Sequence, residues 1–310
     1  GPRRHRGARA NQPTQRRHRQ TTSDRVFCAA LRGPSPGVSI QPGWGGLKVE
    51  AIAGQSAVTA AWAANPLKVL VPRPRGPSVW AYLSSFGGGL VAGDQTRLEI
   101  HLKENARCFV STQASTKVYR NPLGLPCGHQ LTATLNNGSI LALVPDPVQA
   151  FADSIYTQRQ EFFLRPGAGL VLVDSLCSGR AARQERWAFT RVQSRNEIFL
   201  DGQRLLLDSL LLNPADGALN GPHRLGQFNG LALVVILGAP VRATAKQLLE
   251  SVAARPVQRG ASLICSASPI PDGVILRLAG EHIEEVSHEV QRQLGFLEDL
   301  LQDNPWSRKW

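Results

Sequence analysis

Two stretches carry residue types that could do chemistry at a recognisable spacing: Ser85-Phe86-Gly87-Gly88-Gly89-Leu90-Val91-Ala92-Gly93-Asp94 and, further on, Ser111-Thr112-Gln113-Ala114-Ser115-Thr116-Lys117-Val118-Tyr119-Arg120. Gly87-x-Gly89-x-x-Ala92 has the glycine spacing of a dinucleotide-binding turn, in which small residues let the backbone approach a pyrophosphate. Such a turn must open a helix, because the helix N-terminal amides hold the phosphate. Here Arg97-Leu98-Glu99-Ile100-His101-Leu102-Lys103 alternates polar and apolar residues, the pattern of a half-buried strand. The run is therefore expected to be a tight crossing between strands. In it Gly87, Gly88, Gly89 and Gly93 supply positive φ or close backbone contact, and Asp94 caps or braces the turn. A nucleotide-dependent enzyme using Gly87–Gly93 is the alternative.

Nucleophilic catalysis finds no support, and no catalytic residue is expected. There is no Gly-x-Ser-x-Gly, and no Ser or Cys stands beside a His in a way that suggests a triad. Ser111 and Lys117 would lie roughly 20 Å apart along an extended strand. Of seven histidines, His5 and His18 fall in the leading segment, His282 and His288 are six apart, and Glu284 with His288 is an ordinary helical neighbour pair. Cys127-x-His129 is the one tight Cys/His spacing, without the further ligands of a closed metal site. No tight metal site is expected. The acids are more suggestive: Asp94 in the glycine crossing, Asp146 between Pro145 and Pro147, Asp153 shortly after, and Glu185 beside Arg186. Singly, each would accept turn amides or pair with an arginine. As a set at strand ends, they could line a wet passage.

The elements that must position these residues are mostly strands. Arg97–Lys103 turns at Glu104-Asn105 into Arg107–Ser111, His129–Leu135 turns at Asn136-Asn137-Gly138 into Ser139–Val144, and Tyr156–Leu164 turns at 166–169 into Leu170–Ser175. The turns recur about every 31 to 32 residues, as stacked sheet layers require, and each unit reads as a β-hairpin. A fourth hairpin joins Glu197–Leu200 to Gln203–Leu207 through Asp201-Gly202, a type I′ signal. Leu47–Val71 reads as two further strands. Two helical stripes follow, Val241, Ala245, Leu248, Leu249 and Val252 between Pro240 and Pro256, then Ile283, Val286, Val290, Leu294, Leu297 and Leu301. The fold class is mainly β, with stacked β-sheet layers and a few C-terminal α-helices.

Composition narrows the partners. Of the net charge of +12, residues 1–32 supply +8 from nine arginines against Asp24, so the other 278 residues carry +4. A nearly balanced body with an Arg-rich leading segment does not describe a groove that tracks phosphates, and no nucleic-acid partner is expected. A basic RNA-associated protein is the third reading. Residues 1–40 are expected to form a disordered Arg-rich tail ahead of a mainly β domain over 41–310. The five cysteines lack any Cys-x-x-Cys pair, which points to reduced thiols in a reducing compartment. The longest apolar run, Leu231 to Val241, is too short to span a bilayer, and no membrane partner is expected.

Gly-Gly-Leu-Val-x-Gly-Asp at 88–94, followed by the Ser-Thr-Gln-Ala-x-Thr-Lys-Val-Tyr-Arg segment at 111–120, resembles the UreD (UreH) family of urease accessory proteins. Ser178-Gly179-Arg180 with Glu185-Arg186-Trp187-Ala188-Phe189, and Asp272-Gly273-Val274-Ile275-Leu276-Arg277-Leu278-Ala279-Gly280, fit the same family in order. The similarity runs from about Leu47 to about Leu301. It implies a cytoplasmic, non-catalytic scaffold or chaperone that acts with UreF and the GTPase UreG to deliver nickel to apo-urease, through a water-filled tunnel. On that reading the candidate lining of the nickel passage is Asp94, Ser111, Thr112, Asp146, Asp153 and Glu185. Lys117, Tyr119, Arg120, Arg180 and Arg186 brace a structural polar seam, and nickel is held in transit with no tightly bound cofactor. Ala92 replaces a glycine usual in the motif, Asp146 stands where many members have Glu, and the Arg-rich segment has no family counterpart.

Overall fold

Strands wet on one face and strands dry on both end up in different sheets. The computed structural model describes Gly1 and residues 41–308; the expected tail at 1–40, with Cys28, otherwise lies outside the described residues. In chain order the strands are β1 (Trp44–Ile52), β2 (Gln55–Ala63), β3 (Leu67–Leu70), β4 (Val79–Ser85), β5 (Gly89–Leu90), β6 (Gln95–Leu102), β7 (Arg107–Thr112), β8 (Lys117–Val118) and β9 (Cys127–Leu135). There follow β10 (Ile140–Leu143), β11 (Val148–Ala150), β12 (Ile155–Leu164), β13 (Gly169–Cys177), β14 (Arg191–Leu200), β15 (Gln203–Leu212) and β16 (Gly230–Gly238). Helix α1 (Arg242–Ala253), β17 (Leu263–Ile270), β18 (Gly273–Gly280), α2 (Ile283–Gln293) and α3 (Leu297–Leu301) complete the chain.

One sheet has the order β15-β14-β12-β9-β6-β1-β2; the other runs β17-β18-β16-β13-β10-β7-β4-β3, with β5, β8 and β11 branching from it. Within the first, β6, β9, β12 and β14 pair in parallel, and within the second β4, β7, β10 and β13 do the same. The chain thus shuttles between sheets, and each repeat is one coil of a stacked solenoid.

This overturns three of the expected hairpins. The strands flanking each turn lie in opposite sheets and pair with strands one coil away. The period is as read, but the partner is not. The arms of each repeat differ in environment: Arg97–Lys103 alternates because its outer face is wet, while Leu141, Ala142 and Leu143 are all buried because helices cover the outside of the second sheet. The corners also stack, with the Asn105 amide donating to Asn137 O at 3.0 Å. Gly138 and Gly167 have positive φ (68° and 84°), and a Cβ on them would fall 2.2 Å from Asn105 Oδ1 and 2.1 Å from Asn137 Oδ1. The fourth unit is a true hairpin, antiparallel β14–β15, with Asp201 and Gly202 at φ 49° and 81° as a type I′ turn requires.

Two smaller expectations also change. Leu47–Val71 holds three strands, because Ala53 and Gly54 (φ 49° and 80°) close a tight turn between β1 and β2, and β3 follows. The second helical stripe is divided between α2 and α3 by a turn at residues 294–296, where Gly295 is a poor helix former. Its residues Val286, Val290, Leu294, Leu297 and Leu301 are nevertheless all buried.

Three apolar clusters result. The first, including Leu98, Ile100, Leu102, Leu131, Leu141 and Phe162, fills the space between the sheets. The second, around Trp80, Phe109, Val234 and Ile236, lies beneath the helices. The third, around Leu90, Val118, Tyr156, Trp187 and Phe189, closes the other end of the sandwich.

Candidate functional site

Between the first and third clusters the inward-facing residues turn polar. Parallel register sets Thr96 beside His129, His129 beside Gln158 and Gln158 beside Ser194, a row crossing β6, β9, β12 and β14. Two residues on, Gln160 stands beside Asn196. From the second sheet Thr112 on β7 and Asp174 on β13 complete the polar layer, while the next residue, Ser175, points to the opposite face of β13.

Asp174 is the hub of this layer. Its carboxylate accepts from Gln158 Nε2 (2.9 Å), Ser194 Oγ (2.5 Å) and Asn196 Nδ2 (2.8 Å), and Tyr156 OH donates to Gln158 Oε1 at 3.1 Å. All three donors to Asp174 are neutral, and among the described residues no cationic side chain forms an ion pair with it. Burial, with the Asp174 charge as a smaller contribution, raises the Tyr156 phenol well above its ordinary range, so it stays a donor. Gln160 Oε1 and Asn196 Oδ1 are buried with no protein donor. A buried carbonyl left so costs about 1–3 kcal/mol unless water or a cation meets it.

Thr112 and Asp146 form a second polar node. The Thr112 hydroxyl donates to Asp146 Oδ2 (2.8 Å) and accepts the Asp146 amide (2.7 Å). His129 Nδ1 lies 2.8 Å from Thr96 Oγ1, which is also 3.2 Å from Gly128 O. When the Thr96 hydroxyl donates to that carbonyl it accepts from Nδ1–H, which leaves the His129 Nε2 lone pair open. Burial lowers the His129 pKa to about 4, so the imidazole is neutral near pH 7. Burial likewise pushes the Cys127 thiol up to about 12 and keeps it protonated.

Two cavities meet at this layer. The first, about 340 Å³, is walled by Ser85, Gly88, Thr112, His129, Asp146 and Gln160 among others, and exposed Gln113 and Ala114 mark its mouth. The second, about 540 Å³, reaches the sheet edges between β15 and β17–β18, where exposed Ser209, Val257 and Ser266 mark a second mouth. Val148, Tyr156, Gln158, Asp174 and Ser175 belong to both walls. Arg277 Nη2 donates to Asp208 Oδ1 (3.0 Å), strapping one sheet to the other at the second mouth.

The structure brings together only part of the set chosen from the sequence. Thr112 and Asp146 line the first cavity; Asp94, Ser111, Asp153 and Glu185 are not among the residues lining either cavity. Ser111 is buried and donates to Val144 O at 2.6 Å. Asp153 is exposed, and its carbonyl accepts the Asn121 amide. Glu185 is gripped in a bidentate pair by Arg180 and accepts the Ala152 amide at 3.3 Å. Hydrogen bonding from Arg180 is the largest of the effects that hold its pKa below the ordinary carboxylate value, against the opposing pull of burial. The same guanidinium lies 4.1 Å from the Phe151 ring centroid, and Tyr119 meets Phe151 edge-on at 5.4 Å. Tyr119, Phe151, Arg180 and Glu185 thus clamp three successive segments. Arg186 donates to Asn229 and Gly226 O, fastening the 185–189 block to the loop before β16, while Lys117 and Arg120 are exposed.

The glycine run opens no helix. It makes a tight turn over Phe86–Gly88, with Gly87 outside helical backbone angles, and passes through β5 into β6. Gly87, Gly88 and Gly93 have φ of 81°, 74° and 85°, whereas Gly89 is extended. A Cβ on Gly89 would fall 2.5 Å from Tyr119 Cε2 and 2.6 Å from Lys117 O. Asp94 Oδ2 accepts the Val91 amide (2.9 Å) and so braces the turn. β5 pairs in parallel with β8, so the two stretches singled out in the sequence meet at the mouth of the first cavity. Among the described residues no three His, Cys, Asp or Glu side chains cluster closely enough to hold a metal ion, and no helix is long and apolar enough to cross a membrane.

The sequence profile of the family described as UreD urease accessory protein matches residues 42–310. The urease accessory protein UreD of Sorangium cellulosum is 43% identical over 269 residues, 86% of this chain and 84% of that protein. The UreD of an Anaeromyxobacter species is 39% identical over 284 residues, covering 91% and 94% of the two chains. The urease accessory protein D of Arabidopsis thaliana is 32% identical over 293 residues, 85% of this chain and 99% of the plant protein.

Proposed function

The chain belongs to the UreD family of urease accessory proteins, and we propose that it conducts nickel, as cargo, through the polar layer between its sheets to apo-urease. The observation that carries this reading is Asp174: a carboxylate in the wall common to two cavities, hydrogen-bonded by neutral groups and, among the described residues, paired with no cation. Ni²⁺ accepts carboxylate, imidazole and water ligands. Asp146 and Thr112 near one mouth, neutral His129 in the same cavity wall, Asp174 in the wall shared by both cavities and the open carbonyl of Gln160 offer such ligands a few at a time.

Spacing matters as much as identity. A closed set of ligands would trap the ion, whereas ligands met in succession replace part of its hydration and release it again. The apolar clusters on either side leave the polar layer as the wet route. Nothing in this arrangement needs a nucleophile or a general acid, which supports a non-enzymatic role. The chain would act in the cytoplasm as a scaffold with UreF and UreG, docked on apo-urease.

Asp174→Asn tests the reading, since it keeps the side-chain shape and removes the charge. Loss of one unit charge from a partly desolvated wall should weaken cation attraction by about tenfold or more. Nickel in urease, measured by mass spectrometry after co-expression with the accessory proteins, should fall accordingly while the complex still assembles. Wild-type nickel content in the variant's urease would sink the conduction role.

A further inference from the structure

Four large apolar side chains stand in water beside the mouth of the first cavity: Phe86 is 63% exposed, Val91 52%, Leu123 72% and Leu125 52%. Single exposed leucines need no explanation. Here, however, the turns that carry Val91 and the two leucines are tied together. Gly93 N–H donates to Leu125 O (3.1 Å), Gly128 N–H to Asp94 O (2.9 Å) and Gln95 Nε2 to Pro126 O (2.8 Å). Each turn is also braced from within. Asp94 holds the Val91 amide, and buried Asn121 both donates to Leu125 O (2.7 Å) and accepts Leu125 N–H (3.0 Å). A merely connecting loop would gain by turning its leucines inward; these are held outward by side chains devoted to that geometry. Phe86 sits between Ser85 and Gly88, both in the cavity wall, so the patch adjoins the mouth.

The exposed charges nearby are mostly positive. Lys68 Nζ lies 5.0 Å from the Phe86 ring centroid, exposed Lys117 pairs with Gly89 in the β5–β8 ladder, and exposed Arg120 directly precedes Asn121. Of the acids close by, Asp94 is engaged with the Val91 amide and Asp146 with Thr112, and exposed Asp153 is set against three exposed cations. A second copy of this chain would bring these cations against one another across a two-fold interface, which like-charge repulsion disfavours. The geometry points to this patch as the docking site of a partner protein that presents apolar side chains inside a rim of carboxylates, seated over the mouth of the first cavity. Asp94 and Asn121 are then positioning residues that display the apolar anchors. This rests on the maturation-factor reading, and it locates where a partner meets the conduit.

Purified UreF and apo-urease from the same host serve as probes, each titrated against the immobilised full chain. Leu123→Ser combined with Leu125→Ser should weaken one of them about tenfold or more, as loss of central anchors does. Lys68→Glu with Lys117→Glu should weaken the same probe at low salt and converge on wild type near 0.5 M salt, about where surface charges are screened. All these residues are exposed, and unchanged thermal unfolding shows that the variants fold. Wild-type affinity of both variants for both probes overturns the proposal, as does wild-type chain that binds neither. So do self-association in sedimentation, or binding to phosphatidylglycerol vesicles, that the leucine substitutions abolish without changing affinity for either probe. Asp174→Asn separates the two readings: it should dock like wild type yet fail to deliver nickel. Normal delivery by Asp174→Asn, with docking lost in the leucine variant, would discard the conduit and leave the docking site standing.

Discussion

His129 shows how a single environment sets both a side chain's protonation state and a cost in stability. Its pKa falls from the ordinary 6.5 to about 4 because burial disfavours the imidazolium. The unfolded chain therefore takes up a proton below about pH 6.5 that the folded chain refuses until about pH 4, so stability declines as pH drops through that window. Asp174, Asp146 and the Tyr156 phenol share its cavity. His129→Gln should flatten the decline between pH 6.5 and 4 in urea-unfolding midpoints; parallel wild-type and variant curves would contradict a buried neutral imidazole. Glu185 works at lower pH. Its folded pKa is lowered, first by hydrogen bonding from Arg180, so its contribution is full above the unfolded value near 4.3 and is lost as pH falls through the folded one. Glu185→Gln should therefore destabilise the chain at pH 7, and the gap to wild type in thermal unfolding should close below about pH 4. From the sequence Glu185 could be given an arginine partner, but not which: Arg183 and Arg186 are nearer in the chain, and only the fold turns Arg180 onto it.

Glycines of one short element are irreplaceable for different reasons, and this can be measured. Gly87 has open space around it but a φ of 81°, so Gly87→Ala costs roughly the 1–2 kcal/mol of a left-handed residue. Gly89 is extended, yet its Cβ would drive into Tyr119 and the Lys117 carbonyl. Gly89→Ala must part β5 from β8, a cost of about 1–3 kcal/mol. Both should lower the denaturant midpoint, and only Gly89→Ala should disturb the Tyr119 ring, seen as a change in its fluorescence or aromatic resonances. The sequence was informative about such elements up to a definite point. It showed the repeat, the strands, the Asp201-Gly202 hairpin and the absence of a helix after Gly93, all of which follow from local periodicity and turn chemistry. It did not show that the strands beside Asn105 and Asn137 part company at the corner, since parallel pairing one coil away leaves no local trace. The clue was the contrast between an alternating arm and a continuously apolar one, which two strands side by side in one sheet would not share.

At the scale of the whole molecule, the solenoid explains why the polar layer was only half legible. Thr112 and Asp146 drew notice as a hydroxyl and an acid at strand ends, whereas Gln158, Gln160, Ser194 and Asn196 sit at inward positions where alternation calls for apolar residues. Asp174 interrupts an otherwise apolar strand. Each is an ordinary polar residue alone. Parallel register stacks them into one layer, and register is a property of the assembled sheets rather than of any segment. The layer interrupts a sandwich that is apolar on either side, and two of its buried carbonyls have no protein donor, which points to a service other than packing. If that service is passage, blocking the route should matter even when every charge is kept. Val148 is half-buried, lines both cavities and packs against the inner cluster around Tyr156 and Leu176. Val148→Phe narrows the shared wall with a larger apolar side chain and leaves Asp174, Asp146 and His129 unchanged. It should bind partner proteins and unfold near the wild-type temperature, yet cut nickel transfer to urease as severely as Asp174→Asn. A folded Val148→Phe chain that matured urease at the wild-type rate would show that the two cavities are not used as one route.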